Sequence, residues 1–120
     1  MSRPPSTLWQ SFGWAWAGFR YLLRTQRNMR IHTLAVPVVA ACGWWMELSR
    51  VEWAVLALAA GLVMAAEALN TSIEAVVDLL SPEWQEQARI AKDTAAAGVL
   101  MAAFAAAVAG VLIFGGRLAG

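Results

Sequence analysis

The sequence predicts an all-α membrane protein in which an N-terminal amphipathic surface helix precedes three transmembrane helices. Of its 120 residues 60% are hydrophobic and only 14% charged, with a mean hydropathy of +0.56, a balance outside that of soluble domains. Three apolar stretches follow one another: Ile31 to Met46, Val51 to Ala66 with a more polar continuation to Leu80, and Thr94 to Gly116, the last free of charge. Ahead of them, apolar residues recur at three- and four-residue spacing among arginines, the pattern of an interfacial helix. The chain reads as one small domain over 1–120, with the surface helix at about 7–27 and transmembrane helices at about 30–48, 51–80 and 87–116.

The surface helix rests on Leu8, Phe12, Ala15, Trp16, Phe19, Leu22 and Leu23, with Arg20, Arg24 and Arg27 at other positions. Trp9, Trp14, Trp16 and Tyr21 suit the headgroup zone, where amphipathic rings are favoured. Crossing about 30 Å of hydrocarbon takes about 20 helical residues, which the third apolar stretch meets most easily. His32, Pro37 and Glu47 limit the first, with Arg30 and Glu47 placed to sit at its two interfaces. Ser49 ahead of Val51, Glu52 and Trp53 reads as a helix cap. Ser81, Pro82 and Glu83 read as the cap, first-turn proline and acid of a short loop helix leading into the last span.

Basic residues set the orientation. Arg20, Arg24, Arg27 and Arg30 precede the first span, and Arg89 and Lys92 lie between the second and third, so the N-terminus and the 81–92 loop are expected in the cytoplasm. Small residues at Ala95 to Gly98 and Ala102 to Gly110 allow close helix approach, and three helices alone hide few polar groups, so oligomerisation is expected. A net charge of +1 leaves no nucleic-acid footprint. Cys42 is the only cysteine and reads as a buried thiol, with no disulfide framework. Pro4 and Pro5, with no apolar core and cleavage signal behind them, do not read as a signal peptide.

The informative stretch is Ala66 to Leu80, which carries Glu67, Asn70, Glu74 and Asp78 in otherwise apolar sequence. Ionisable groups near the hydrocarbon cost roughly 2.5 to 3.5 kcal/mol each and seldom occur without a partner or a task. Offsets of 3, 7 and 11 residues keep the four side chains within about 80° on a helix. With Lys92 and Asp93 they read as one set at one cytoplasmic level. Paired carboxylates supply oxygen ligands for Mg²⁺, which takes one or two of them and completes its shell with water and phosphate. Lysine supplies a charge for phosphate, and a further carboxylate could take a proton from a hydroxyl. These are the parts of phosphoryl transfer. A structural network with Lys92 paired to Asp78 or Glu74, or an ion pathway, uses similar parts. No GxxxxGK[ST] loop, kinase glycine loop or Cys/His metal cluster is present. His32, alone at the start of the first span, reads as an interfacial residue rather than a catalyst, and Glu47 and Glu52 as solvated or headgroup contacts.

The run Glu67-Ala68-Leu69-Asn70-Thr71-Ser72-Ile73-Glu74-Ala75-Val76-Val77-Asp78, followed by Ala91-Lys92-Asp93, closely resembles the small bacterial integral-membrane diacylglycerol and undecaprenol kinases. The resemblance covers nearly the whole chain, and Arg27-Asn28-Met29-Arg30-Ile31-His32 with Leu48-Ser49-Arg50-Val51-Glu52-Trp53 looks more like the undecaprenol kinase branch. It implies a homotrimer in the bacterial inner membrane, active sites between subunits, and transfer of the γ-phosphate of MgATP to a lipid hydroxyl. It further implies Glu67 as general base, Glu74 as a metal ligand, Asn70 as a group orienting substrate or phosphate, and Lys92 and Asp93 as ATP contacts, with Asp78 at the nucleotide end. One position departs: relatives usually show a glutamate of the metal site where this chain has Gln26. Glutamine keeps an oxygen but loses the charge. Either Glu74 and the ATP phosphates suffice to hold Mg²⁺, or the kinase is weakened or has changed its nucleotide or metal preference; the rival reading is a non-catalytic membrane scaffold or lipid-binding homologue in which the metal site has decayed.

Overall fold

The computed structural model describes residues 1–120 as four helices, α1 (Leu8–Thr25), α2 (Arg27–Trp45), α3 (Arg50–Leu80) and α4 (Glu86–Ala119). Thr7 opens α1 with a capping box: its hydroxyl accepts from the Gln10 N–H while the Gln10 side chain accepts from the Thr7 N–H. The break between α1 and α2 is a single residue. Gln26 is extended (φ −112°, ψ 110°) and gives its N–H to Leu22 O at 2.8 Å. Arg30 reaches back from α2 and donates Nη1–H to Leu23 O and Arg24 O at 3.0 and 3.1 Å, satisfying carbonyls that the end of α1 leaves open.

α2 ends in a Schellman turn. The Leu48 N–H bonds Gly43 O and the Glu47 N–H bonds Trp44 O, with Glu47 at φ 55° where glycine is the usual occupant. Ser49 then caps α3 through a capping box with Glu52. No helix forms at Ser81–Pro82: Ser81 closes α3, its hydroxyl donates to Glu83 O, and α4 starts only at Glu86 with Gln85 as its cap. The loop-helix expectation fails because Ser81 spends its hydroxyl on a local turn, so no cap remains for a new helix.

α3 and α4 form the principal seam, an antiparallel pair with an ion pair at each end. At one end Arg117 clamps Glu52 through Nε, at 3.2 Å from both carboxylate oxygens, and through Nη2. At the other, Lys92 Nζ meets Asp78 Oδ1 at 2.5 Å. α2 packs on α3, and Gly43 marks its closest approach: a Cβ there would lie 2.7 Å from the Trp53 ring. α1 lies across α2 and α3, with Ala15, Phe19 and Leu22 facing Met64, Ala68 and Thr71 over a shallow hollow.

α3 and α4 are long and apolar enough to cross a membrane. α2 falls short of that measure because Asn28, Arg30, His32 and Pro37 dilute its apolar run. From Glu52 to Thr71, the height of α1, α3 rises about 29 Å, close to the hydrocarbon thickness. The last turns of α3 and the first of α4 therefore stand beyond the level of α1.

Only 8 of 120 residues are buried and the accessible surface is 9037 Å², against roughly 6,300 Å² for a compact soluble chain of this mass. The apolar faces of the helices look outward, so lipid or further chains must cover them. Cys42 shows the same openness. It is exposed rather than buried, because α2 turns Gly43, its neighbour, toward α3 and leaves Cys42 outside the packed seam.

Candidate active site

α3 is unbroken over 31 residues, so its polar positions keep one face, and their neighbours then give each a different environment. Glu67 is 3% exposed. Its Oε1 has no hydrogen-bond partner within the chain and lies 3.6 Å from Nε2 of His32 on α2. Asn70, one turn on, also has an unpartnered buried oxygen, Oδ1, and so does Thr33 Oγ1 beside His32. Glu74 is half-buried and Asp78 exposed. Thr71 and Ser72 are occupied at home, donating to Glu67 O and Ala68 O at 3.0 and 2.9 Å.

The groups share a face but not a level. Eleven residues separate Glu67 from Asp78, which is about 16 Å of helix. Glu67 sits near the height of α1, and Asp78 stands beyond it at the exposed end, held to Lys92. Asp93 is tied instead to Arg89 at 2.7 Å, and the same guanidinium grips Glu86. Arg89 was no candidate from sequence, although its i,i+3 and i,i+4 spacing from the two acids was a legible signal.

Gln26 occupies the α1–α2 joint, where its Nε2–H donates to Thr25 Oγ1 at 3.2 Å. α2 and α3 run antiparallel in a register that sets Gly43 on Trp53 and His32 on Glu67. The same register carries Gln26 to about the height of Glu74. No group of three or more His, Cys, Asp and Glu residues gathers in one chain to hold a metal. Glu74 and the amide oxygen of Gln26 are donors of the kind Mg²⁺ accepts, since that ion needs one or two carboxylates and takes its remaining ligands from water and phosphate. His32, read from sequence as an interfacial residue, stands beside the most buried acid of the chain, a contact that spacing along one helix does not reveal.

Beside the Glu67–His32 contact, α2, α3 and α4 enclose an open apolar groove of about 600 Å³, with His32, Val63 and Met64 among its lining. Unpartnered polar oxygens at one end of an apolar groove, leading along one helix to exposed charge, can take an amphipathic molecule from the membrane and a phosphate-bearing one from water.

The sequence matches the prokaryotic diacylglycerol kinase family over residues 13–114. It is 48% identical over 101 residues to a diacylglycerol kinase of Synechocystis sp., covering 83% of this chain and 58% of that protein. It is 39% identical over 105 residues to an undecaprenol kinase of Bacillus subtilis, covering 88% and 85%, and 32% identical over 96 residues to a diacylglycerol kinase of Escherichia coli, covering 80% and 79%. The chain thus spans less than two-thirds of the cyanobacterial protein and most of the other two. On a match that takes in the Glu67 to Asp78 face and the Lys92 end of α4, the chain belongs to the prokaryotic diacylglycerol kinase family.

Proposed function

We propose that the chain is an ATP-dependent lipid kinase that transfers the γ-phosphate of MgATP to the hydroxyl of a membrane lipid alcohol, undecaprenol or diacylglycerol. The observation that carries this reading is Glu67: a carboxylate almost wholly buried, with an oxygen lacking any donor, at the head of a polar face that runs out to exposed charge. Such a group is poised to accept a proton from a hydroxyl delivered along the apolar groove. The lipid enters sideways between helices and presents its hydroxyl to Glu67. The triphosphate lies along the 16 Å stripe, an arrangement that needs the polar groups strung out rather than gathered, with Asn70 orienting phosphate or acceptor near the base.

Glu74, assisted by Gln26, would hold Mg²⁺, which supplies charge neutralisation to the phosphate oxygens. Lys92 lends its ammonium to the phosphates, and Asp78 and Asp93 contact the nucleotide end. In the resting chain these charges are engaged with each other and with Arg89, so ATP competes with those ion pairs. The large uncovered surface supports assembly with further chains, which on the family resemblance is a homotrimer with shared active sites, in which α2, α3 and α4 all span the bacterial inner membrane and the N-terminus is cytoplasmic.

The test is transfer of labelled γ-phosphate from MgATP to undecaprenol and to diacylglycerol, each in mixed micelles with purified protein. Product with either lipid is expected, and the better acceptor names the substrate. No product from a folded, oligomeric protein would favour a non-catalytic scaffold, with Gln26 the mark of a lost metal site.

A further inference from the structure

We infer that His32 is the positioning residue for Glu67, holding the carboxylate in the orientation from which it receives the acceptor's proton. The inference rests on the reading of Glu67 as the base. A buried carboxylate with no hydrogen bond is costly; Asn70 and Thr33 lie nearby and make no hydrogen bond to Glu67, and the other donors around it are engaged elsewhere. Thr71 donates to Glu67 O and Ser72 to Ala68 O. Arg30, two residues before His32, is turned back to the end of α1. Lys92 is held by Asp78 and Arg89 by Glu86 and Asp93 at the far end of the stripe. Only the imidazole faces Glu67 Oε1, at 3.6 Å, a few tenths of an ångström beyond a hydrogen bond.

The chemistry fixes the polarity of this contact. To receive the acceptor's proton Glu67 has to be ionised, and an ionised carboxylate only accepts, so in that working state the imidazole presents Nε2–H to it. With Oε1 engaged this way, Oε2 is the oxygen left for the acceptor hydroxyl. His32 also lines the apolar groove and is itself 30% exposed at its side chain. It stands where the lipid passes, on a different helix from the base. That division explains why the contact is invisible along the α3 motif: it depends on how α2 packs on α3, for which Gly43 against Trp53 sets the spacing.

The experiment compares the unmodified protein with His32→Leu, His32→Gln and Glu67→Gln in the same phosphoryl-transfer assay. Closed by those few tenths of an ångström in the working state, the contact becomes a hydrogen bond to a charged group, and its loss predicts that His32→Leu lowers kcat about 10- to 100-fold, with KM for MgATP unchanged because the nucleotide end is untouched. His32→Gln, whose amide N–H lies near the place of Nε2–H, should recover most of that loss. His32 is the only histidine in the chain, so selective ¹⁵N labelling gives a single imidazole spectrum. It should show the Nε2-protonated tautomer in the unmodified protein and shift in Glu67→Gln. Unaltered kcat in His32→Leu, equal losses in His32→Leu and His32→Gln, or an imidazole signal indifferent to Glu67→Gln would each overturn the inference. Full activity in Glu67→Gln would instead remove the base reading beneath it, which no result at His32 alone can do.

Discussion

Lys92 Nζ sits 2.5 Å from Asp78 Oδ1 and ties the first turns of α4 to the last turns of α3, while both side chains remain well exposed, 40% and 66%. Exposed ion pairs contribute only about 0 to 1 kcal/mol to stability, so this one is poorly explained as a structural lock. If Lys92 serves phosphate, Lys92→Met should raise KM for MgATP by about 10- to 100-fold, the value of a charge-assisted hydrogen bond. Thermal unfolding of the same protein should barely move. A pure register lock predicts the reverse: a small stability loss shared by Lys92→Met and Asp78→Asn, and an unchanged KM.

Gln26 supplies an oxygen at the height of Glu74 without a charge. Magnesium affinity follows ligand charge as well as ligand count, so Gln26→Glu should lower the Mg²⁺ concentration for half-maximal activity, by roughly tenfold. The backbone should tolerate the change, because Gln26 joins the helices through its extended main chain and its N–H to Leu22 O, and as C-cap of α1 and N-cap of α2 it meets helix dipoles that act on an acid in opposite senses. A Mg²⁺ requirement identical in Gln26→Glu and the parent would place residue 26 outside the metal site.

What the sequence could reveal followed from local rules. The Ser49 cap, the polar face of α3 and the pairing of Lys92 with one of Asp78 and Glu74, which the structure resolves to Asp78, all follow from spacing along one helix or across one short loop. What the local rules do not reach has a common cause in tertiary geometry. Cys42 is exposed because a one-residue rotation on α2 decides which side packs. His32 and Glu67 are 35 residues apart in sequence, and only the α2–α3 register brings them together. The polar groups were placed at one level because angular position was read without the rise of 1.5 Å per residue. The Ser81–Pro82 helix was misread because the serine hydroxyl turned to Glu83 O. The family motif singled out acids on α3 and Lys92 and Asp93 on α4, whereas the nearness of His32 on α2 to Glu67 is not written in it.

Gly43 is required by close approach rather than by backbone freedom. A Cβ would meet Trp53 Cη2 at 2.7 Å and Leu48 Cδ1 at 2.9 Å. The leucine methyl can move, but the indole edge is rigid. Gly43→Ala gains about 1 kcal/mol of helix propensity and loses about 1 to 3 kcal/mol to overpacking, so the balance is destabilising. Thermal inactivation in detergent should fall to a lower temperature, and Trp53→Phe in the same background should restore it. If Gly43→Ala proves more stable than the parent, α2 and α3 separate without cost and the spacing that brings His32 to Glu67 is not set here.

Glu47 holds a left-handed conformation, φ 55°, in the turn between α2 and α3. The Schellman bonds from Glu47 and Leu48 back to Trp44 O and Gly43 O require that conformation at this position whatever the side chain. For a residue with a Cβ it costs roughly 1 to 2 kcal/mol, and glycine escapes that cost while losing about 0.4 to 1 kcal/mol to its greater freedom when unfolded. Glu47→Gly should therefore stabilise by about 0.5 to 1 kcal/mol. The carboxylate also attracts Arg117 nearby, but at an exposed position that attraction is too weak to reverse the sign. Reversible unfolding in mixed detergent micelles measures the change. Phosphoryl transfer should be unaffected, since residue 47 lies at the end of the bundle opposite the polar stripe. A less stable Glu47→Gly protein would mean that the Glu47 to Arg117 attraction, added to the Glu52 clamp, outweighs the backbone strain and is what closes this end of the α3–α4 pair.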